Sequence, residues 1–436
     1  VTITRNQLRD FFLGLVMFYY SGFMSFLTGL ISGGGRSGHG GAEMIAESAS
    51  GNMVRQLVGL SILGIGGYFV LHLRDRSLGT FVSRHIYWLI LLGYIVLSIL
   101  WSVEPSVSVR RIISLMIVFV AALALLQEYT PEYLLSLIAR ILGYAAIAGL
   151  IYAVISPQNG FIQGGLREGA LLGIFGDKNA GARCYVYALM TFYGLRMYET
   201  RQDRILIGGL VVAIILSNSA TALAMVFGGM GLTTIFNGSR VIGNSQKTFN
   251  RLIVVTAGLL IGAVLANYFY ELILLSLGRD PSLTNRTIIW ELLGPSLDDR
   301  PTFGYGYGAF WASVYVESFV KVWGFIGNAH SGYVETRLNG GYVGLIILIA
   351  TFVMSFWRIA RAFTFHPESS VFALMASILL IQAAVNYIGF IIPNHVSFDM
   401  FMFSIIVIVA GKYGLSRELS PTPLYEVQPD PAEARA

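Results

Sequence analysis

Apolar runs long enough to cross a bilayer recur from one end of this chain to the other, and nothing else constrains its fold as strongly. A helix needs about 20 apolar residues to span the hydrocarbon layer. On that ruler, candidate spans fall at about 11–31, 54–73, 85–101, 112–127, 134–155, 171–195, 205–217, 220–236, 252–275, 338–357, 371–391 and 399–415. The reading is an all-α integral membrane protein of about 12 transmembrane helices, since spanning helices satisfy their own backbone in lipid. The pair around Ser217–Thr221 fits either two tilted helices or one broken one. The first run follows a short basic segment and lacks a small-residue cleavage site, so it is expected to be a retained span. The 436 residues are 55% hydrophobic and 12% charged, about half the charge of a soluble domain. Mean hydropathy is +0.67.

The net charge of +5 is a topology signal, because no dense Lys/Arg run marks a nucleic-acid partner. Arg5 and Arg9, then Arg74, Arg76 and Arg84, Arg196, Arg201 and Arg204, Arg240, Lys247 and Arg251, Arg358 and Arg361, and Arg417 fall in alternate loops, all on the side of the N-terminus. The positive-inside rule therefore places both termini in the cytoplasm and the 276–337 segment outside. The membrane domain runs over 1–419, and the Pro- and Ala-containing tail at 420–436 is expected to be disordered. One cysteine, Cys184, excludes an intrachain disulfide and a thiolate metal site; the six histidines show no HxxxH spacing and there is no DxD pair. The sequence gives a metal site no support. Ser32–Gly41 is Gly-rich but lacks GK[ST], so it reads as a flexible outer loop.

The 276–337 segment, between spans 9 and 10, is the longest polar interruption. It gathers Arg286, Arg300, Lys321, His330 and Arg337 among Trp290, Tyr305, Tyr307, Trp311 and Tyr333. Such a mixture suits an anionic head group beside a sugar. Thr284 or Asn285 is expected to cap a short helix with Ile288, Ile289, Leu292 and Leu293 on its apolar face. Arg286 then falls in the first turn, where the dipole disfavours a cation by roughly 0.3–1 kcal/mol but an anion would bind. An exposed Arg reaching lipid phosphate is the alternative. The GYGYGAFW run is expected to turn tightly and present Tyr305, Tyr307 and Trp311, as a sugar shelf or as an interfacial belt. Asn328 is a plausible cap that puts His330 in the first turn of the next span, disfavouring imidazolium as a general base requires; a structural hydrogen-bonding role is the alternative. Glu335 and Arg337 follow, then Gly340, Gly341 and Gly344 for close packing. Asp177, Lys178 and Asn179 should face a polar cavity or neutralise one another, and Arg110 and Arg111 run against the inside bias on a short outer loop.

These segments resemble the O-antigen ligase/polymerase superfamily, which includes Wzy-type polymerases. His330, Ser331, Gly332 and Tyr333, followed by Gly341, Val343, Gly344 and Leu345, are similar to its signature of a His, an apolar run and GxxGL. LTNRTIIW with PTFGYGYGAFW, WSVEPSVSVRR and GIFGDKNAGA are most similar to the exopolysaccharide polymerase branch of succinoglycan type, over roughly residues 90–350. Asn285, Arg337 and Asn339 depart from that branch. The resemblance implies a helical, GT-C-like, metal- and cofactor-independent transferase on the periplasmic side of a bacterial inner membrane. Its donor would be undecaprenyl-diphosphate-linked glycan, with His330 as the base and Arg286 and Arg167 on the diphosphate. Lys178, Asn179, Tyr333, Glu335, Arg337, Arg110, Arg111 and the three aromatics would complete the substrate site. It implies partners among membrane lipids, a chain-length regulator (co-polymerase) and a flippase. Two rivals stand beside this polymerase reading: an O-antigen ligase that hands polysaccharide to lipid A–core, and a lipid-linked oligosaccharide flippase. Against the flippase, the halves show no inverted repeat.

Overall fold

A helix overlaps each of the twelve apolar segments. The computed structural model describes residues 4–24, 26–27, 53–72, 78–164, 168–240, 244–268 and 286–415. The long helices are α1 (Arg5–Tyr20), α2 (Met53–Leu71), α3 (Leu78–Leu97), α4 (Pro105–Glu128), α5 (Pro131–Ile155), α6 (Lys178–Gly194), α7 (Arg201–Leu216), α8 (Ala220–Gly238) and α9 (Ser245–Tyr268). Two short helices follow, α10 (Arg286–Asp299) and α11 (Glu317–Trp323), then α12 (Gly332–Phe365), α13 (Val371–Ile388) and α14 (Phe398–Tyr413). Seven of these (α2, α3, α4, α5, α8, α12 and α13) are long and apolar enough to cross a membrane. The chain is a multi-pass membrane protein. Arg167, Thr284, Asn285, the Ser32–Gly41 loop and the 420–436 tail lie outside the described residues.

Burial sorts the helices. Nearly every residue of α14 is buried, and most of α13, as befits helices that are apolar all round. Helices α3, α13 and α14 pack on α12, α2 packs on α4, and α5 and α8 pack on α6. Helix α2 instead leaves Leu57, Leu60 and Tyr68 exposed, a face suited to lipid. Helix directions alternate. One end of the bundle carries the Arg5–Glu128 pair, the Arg140–Asp203 pair at 3.0 Å and Arg240 on the carbonyl of Ser369 at 2.8 Å. The other end carries the starts of α4, α6, α8, α12 and α14.

The sixth segment departs from expectation. Residues 171–177 are not helical, because Gly173 takes φ 57° and Asp177 caps α6 by accepting the Ala180 N–H at 2.7 Å. Helices α7 and α8 are two helices, not one: Asn218 sits at φ 46° and Ser219 caps α8. Lys178 spans this break, its ammonium donating to the carbonyls of Ser217 at 3.2 Å and Asn218 at 3.0 Å. Ser219 Oγ donates to Asn179 Oδ1 at 3.1 Å. The alternative of an Asp177/Lys178 pair thus gives way to a clamp, since an open helix end needs donors for its carbonyls. Lys178→Met should lower the melting temperature by several degrees, through loss of hydrogen bonds worth about 1–3 kcal/mol. Transfer per folded molecule should be retained; its loss would return Lys178 to the substrate.

Helix α12 is broken at Gly341, where φ is 61° and ψ is −161°. The glycine-spaced loop plugs the break. Tyr305 N–H donates to Leu338 O at 2.8 Å and Gly306 N–H to Asn339 O at 3.0 Å, while Tyr342 N–H reaches Pro301 O at 2.7 Å. Backbone groups freed inside the bundle thus find partners in the loop rather than in lipid. The first nine residues of α12 form a separate block carrying the candidate site.

Candidate functional site

The segment leading into α12 has its own small core. Ile289, Leu293 and Leu297 of α10 pack with Tyr305, Phe310, Trp311, Phe319, Ala329 and Leu338. This corrects the sugar-shelf expectation for two rings. Tyr305 is 1% exposed and Trp311 0%. Tyr305 donates its hydroxyl to Ser296 O at 3.0 Å, and burial followed by the hydrogen bond it gives to Asp299 pushes its phenol up to about 12. Tyr307 is also buried, its hydroxyl donating to Pro393 O at 2.9 Å. The glycines turn the loop as expected, but the rings face inward because burying apolar area outweighs presenting it to water. Of the expected apolar face, Ile289 and Leu293 are buried and Ile288 is exposed.

Trp311 has a specific polar partner. Its Nε1–H points at the buried Glu335 carboxylate, 3.2 and 3.0 Å from the two oxygens, and the Ala329 N–H donates to Glu335 Oε2 at 2.8 Å. From α10, Trp290 Nε1–H donates to Ala329 O at 2.9 Å. Both backbone polar groups of Ala329 are therefore held. Next comes His330 at φ 51°, an uncommon conformation outside glycine. The N-cap of α12 is Ser331, not Asn328. His330 thus precedes the helix instead of lying in its first turn, while Asn328 Oδ1 accepts the His330 N–H at 2.9 Å. Gly332 N–H is tied to Gly389 O at 3.0 Å. A partly exposed histidine is presented between residues anchored on both sides.

Arg286 begins the helix that carries Trp290. It lies four residues before Trp290, hence one turn away, about 6 Å along the face of α10 that touches Ala329. The side chains of Arg286 and Trp290 both remain partly accessible. Arg337 is drawn away from the cavity: its Nη2 donates to Asp298 Oδ1 at 3.2 Å and its guanidinium lies 4.4 Å over the Tyr342 ring. Tyr333 donates to Ala383 O at 2.7 Å, linking α12 to α13. Lys178 and Asn179 belong to the α7–α8 clamp described above. Of the three carboxylates that could rival His330 as base, Glu317 is exposed and Asp399 is paired with Arg183 at 3.0 Å and with the Tyr187 hydroxyl at 2.8 Å. Glu335 alone of these lines the cavity beside Asn328.

That cavity, about 190 Å³, is walled by Arg111, Tyr307, Glu335, Asn339, Asn394 and His395, among others. Arg111 donates to Gly308 O, and Arg110 precedes it in the first turns of α4. Sequence reasoning missed His395 and Asn339. The polar triplet Pro393–His395 between two apolar runs, and an Asn before a Gly pair, were the available signals. Burial, then the cations Arg111, Arg55 and Arg110, push the His395 imidazole down to about 3. The folded state thus refuses a proton that the unfolded chain accepts from about pH 6.5 downward, so stability falls as pH drops from about 6.5 toward 3. His395→Gln should flatten this acid slope in thermal unfolding compared at about pH 7.5 and 4.5. An unchanged slope would mean that His395 titrates normally when folded.

The candidate site thus combines an anchored histidine, the helix that carries Arg286 and a polar cavity, and no group of three His, Cys, Asp or Glu able to hold a metal occurs among the described residues. Residues 205–349, which include α10, His330 and the break in α12, match the family model described as O-antigen ligase. The chain is also 26% identical over 366 residues to the exopolysaccharide production protein ExoQ of Rhizobium meliloti (strain 1021), covering 77% of this chain and 79% of that protein. Both similarities support the O-antigen ligase/polymerase superfamily, near the exopolysaccharide proteins.

Proposed function

We propose that this protein is a polysaccharide polymerase of the bacterial inner membrane, with both termini cytoplasmic. It would transfer glycan from an undecaprenyl-diphosphate-linked donor to a sugar hydroxyl of a lipid-linked repeat unit at the periplasmic face. The observation that carries the reading is the Trp290–Ala329 hydrogen bond, which docks the Arg286 helix against the His330 segment. The acceptor oxygen attacks the anomeric carbon and its proton passes to the His330 imidazole. The bond from the anomeric carbon to the phosphate oxygen breaks with its electron pair, and Arg286 stabilises the charge gathering on the departing diphosphate. Attack opposite to the leaving group inverts the anomeric carbon. Arg167 is proposed as a second diphosphate contact on the resemblance alone. Basic residues at the opposite end of the bundle, among them Arg5, Arg140 and Arg240, support the orientation.

A ligase of the same fold would use the same chemistry on another acceptor. The similarity to an exopolysaccharide production protein favours the polymerase. Cells lacking the protein should accumulate single repeat units on the carrier lipid. Long chains on the carrier would instead make it a ligase.

A further inference from the structure

The His330 segment divides two environments. Trp290, from the Arg286 helix, holds the carbonyl of Ala329, and Glu335 holds its N–H. Glu335, Gly327 and Asn328 line the 190 Å³ cavity, whereas Arg286 and Trp290 are not among its walls. The cavity thus reaches the His330 segment through Asn328, whose Oδ1 accepts the His330 N–H, while Trp290 holds the preceding carbonyl from the Arg286 helix.

The cavity walls are chemically mixed. The carboxamides of Asn328, Asn339 and Asn394 sit with the Glu335 carboxylate, the Arg111 guanidinium and the His395 imidazole. Side-chain amides both donate and accept, which is what hydroxyl groups require. Asn339 is 4% exposed; its Oδ1 accepts the Gly308 N–H at 3.0 Å, while its Nδ2 lies beside the Glu335 carboxylate and makes no hydrogen bond of ordinary length. A buried donor left unmade costs about 1–3 kcal/mol and needs an explanation. A ligand oxygen would supply the partner. The volume lies below the roughly 300–1,000 Å³ of drug-sized sites, so it suits one ring rather than an oligosaccharide.

We propose that this cavity is the acceptor subsite, holding the single pyranose ring whose hydroxyl attacks the donor, with Asn339 Nδ2 donating to a ring hydroxyl. The assignment rests on the transferase reading above and gives the two substrates separate walls. Arg286 serves the donor, Asn339 and its neighbours serve the acceptor, and His330 lies between them.

The test uses the full-length protein in detergent with an undecaprenyl-diphosphate-linked repeat unit as donor. The titrated acceptor is the same repeat unit released from its lipid by mild acid. Asn339→Leu should raise the acceptor KM about tenfold, the loss of one hydrogen bond, and leave the donor KM within about twofold. Val396→Phe, at a partly exposed loop position on the cavity wall, should raise the acceptor KM at least as much by filling the space. It keeps the question open to test should Asn339→Leu fail to fold. A rise in donor KM with acceptor KM unchanged, or no change in either, would overturn the subsite. A wild-type protein that transfers nothing would instead remove the proposed function itself, and the subsite with it.

Discussion

Replacing His330 by asparagine should lower transfer by about 10²–10⁴-fold while the protein still folds. Asparagine is the cleaner substitution because His330 sits at φ 51°, and Asn tolerates that left-handed conformation where Ala is less at ease. The neighbours are held by Trp290, Glu335, Ser331 and Gly389, so the segment keeps its path without the imidazole. A carboxamide fills the space but takes no proton at neutral pH. Arg286→Ala should cost about 10²–10³-fold through lost stabilisation of the departing diphosphate. The Arg286 variant should also bind the lipid-linked donor more weakly, whereas His330→Asn should bind it normally. Single-turnover kinetics with donor-binding measurements check both. A well-folded His330→Asn protein turning over at the wild-type rate would remove the base assignment.

Gly341→Val should give the largest loss of stability. The position combines φ 61° with ψ −161°, a region open almost only to glycine and costing another residue about 1–3 kcal/mol. A Cβ there would also collide with the Thr302 carbonyl and the Phe303 nitrogen. Relief of that collision means withdrawing the loop that caps the break in α12, which frees the carbonyls of Leu338 and Asn339 and the N–H of Tyr342. Each buried polar group so orphaned costs about a further 1–3 kcal/mol, enough to exhaust the margin of an ordinary domain. Little monodisperse protein should survive detergent extraction, as fluorescence size-exclusion chromatography would show. Gly344→Ala is milder: its Cβ would press on the Tyr94 ring at 3.0 Å and meet Thr336 at ordinary contact distance, so that variant should fold with a lowered melting temperature. Equal recovery of Gly341→Val and wild type would mean that the break in α12 is not required.

The bundle was legible because lipid imposes length and apolarity on every span. Polar chemistry between the runs drew the eye to His330, Arg286, Glu335 and Arg111, and the family resemblance singled out the first two. Direction was the missing information. Gly-spaced aromatics have the same pattern whether the rings face a sugar or a core, and Trp311 is buried because Glu335 needs its N–H. Gly340 and Gly341 read as a packing pair, yet Gly341 breaks the helix while Gly340 lies against Tyr94. The LLGIF run at 171–175 looked like the start of a span, and only the Gly173 turn and the Asp177 cap deny it. His395 is 65 residues beyond His330 in sequence and reaches the same region only through the return of α13.

The most direct measurement is reconstitution. Purified protein in detergent would be given an undecaprenyl-diphosphate-linked repeat unit, and the products sized by gel and mass spectrometry. The account predicts a ladder of multimers with release of the lipid diphosphate, with and without chelator. Folded protein that yields neither a ladder nor free lipid diphosphate from its cognate donor would contradict it.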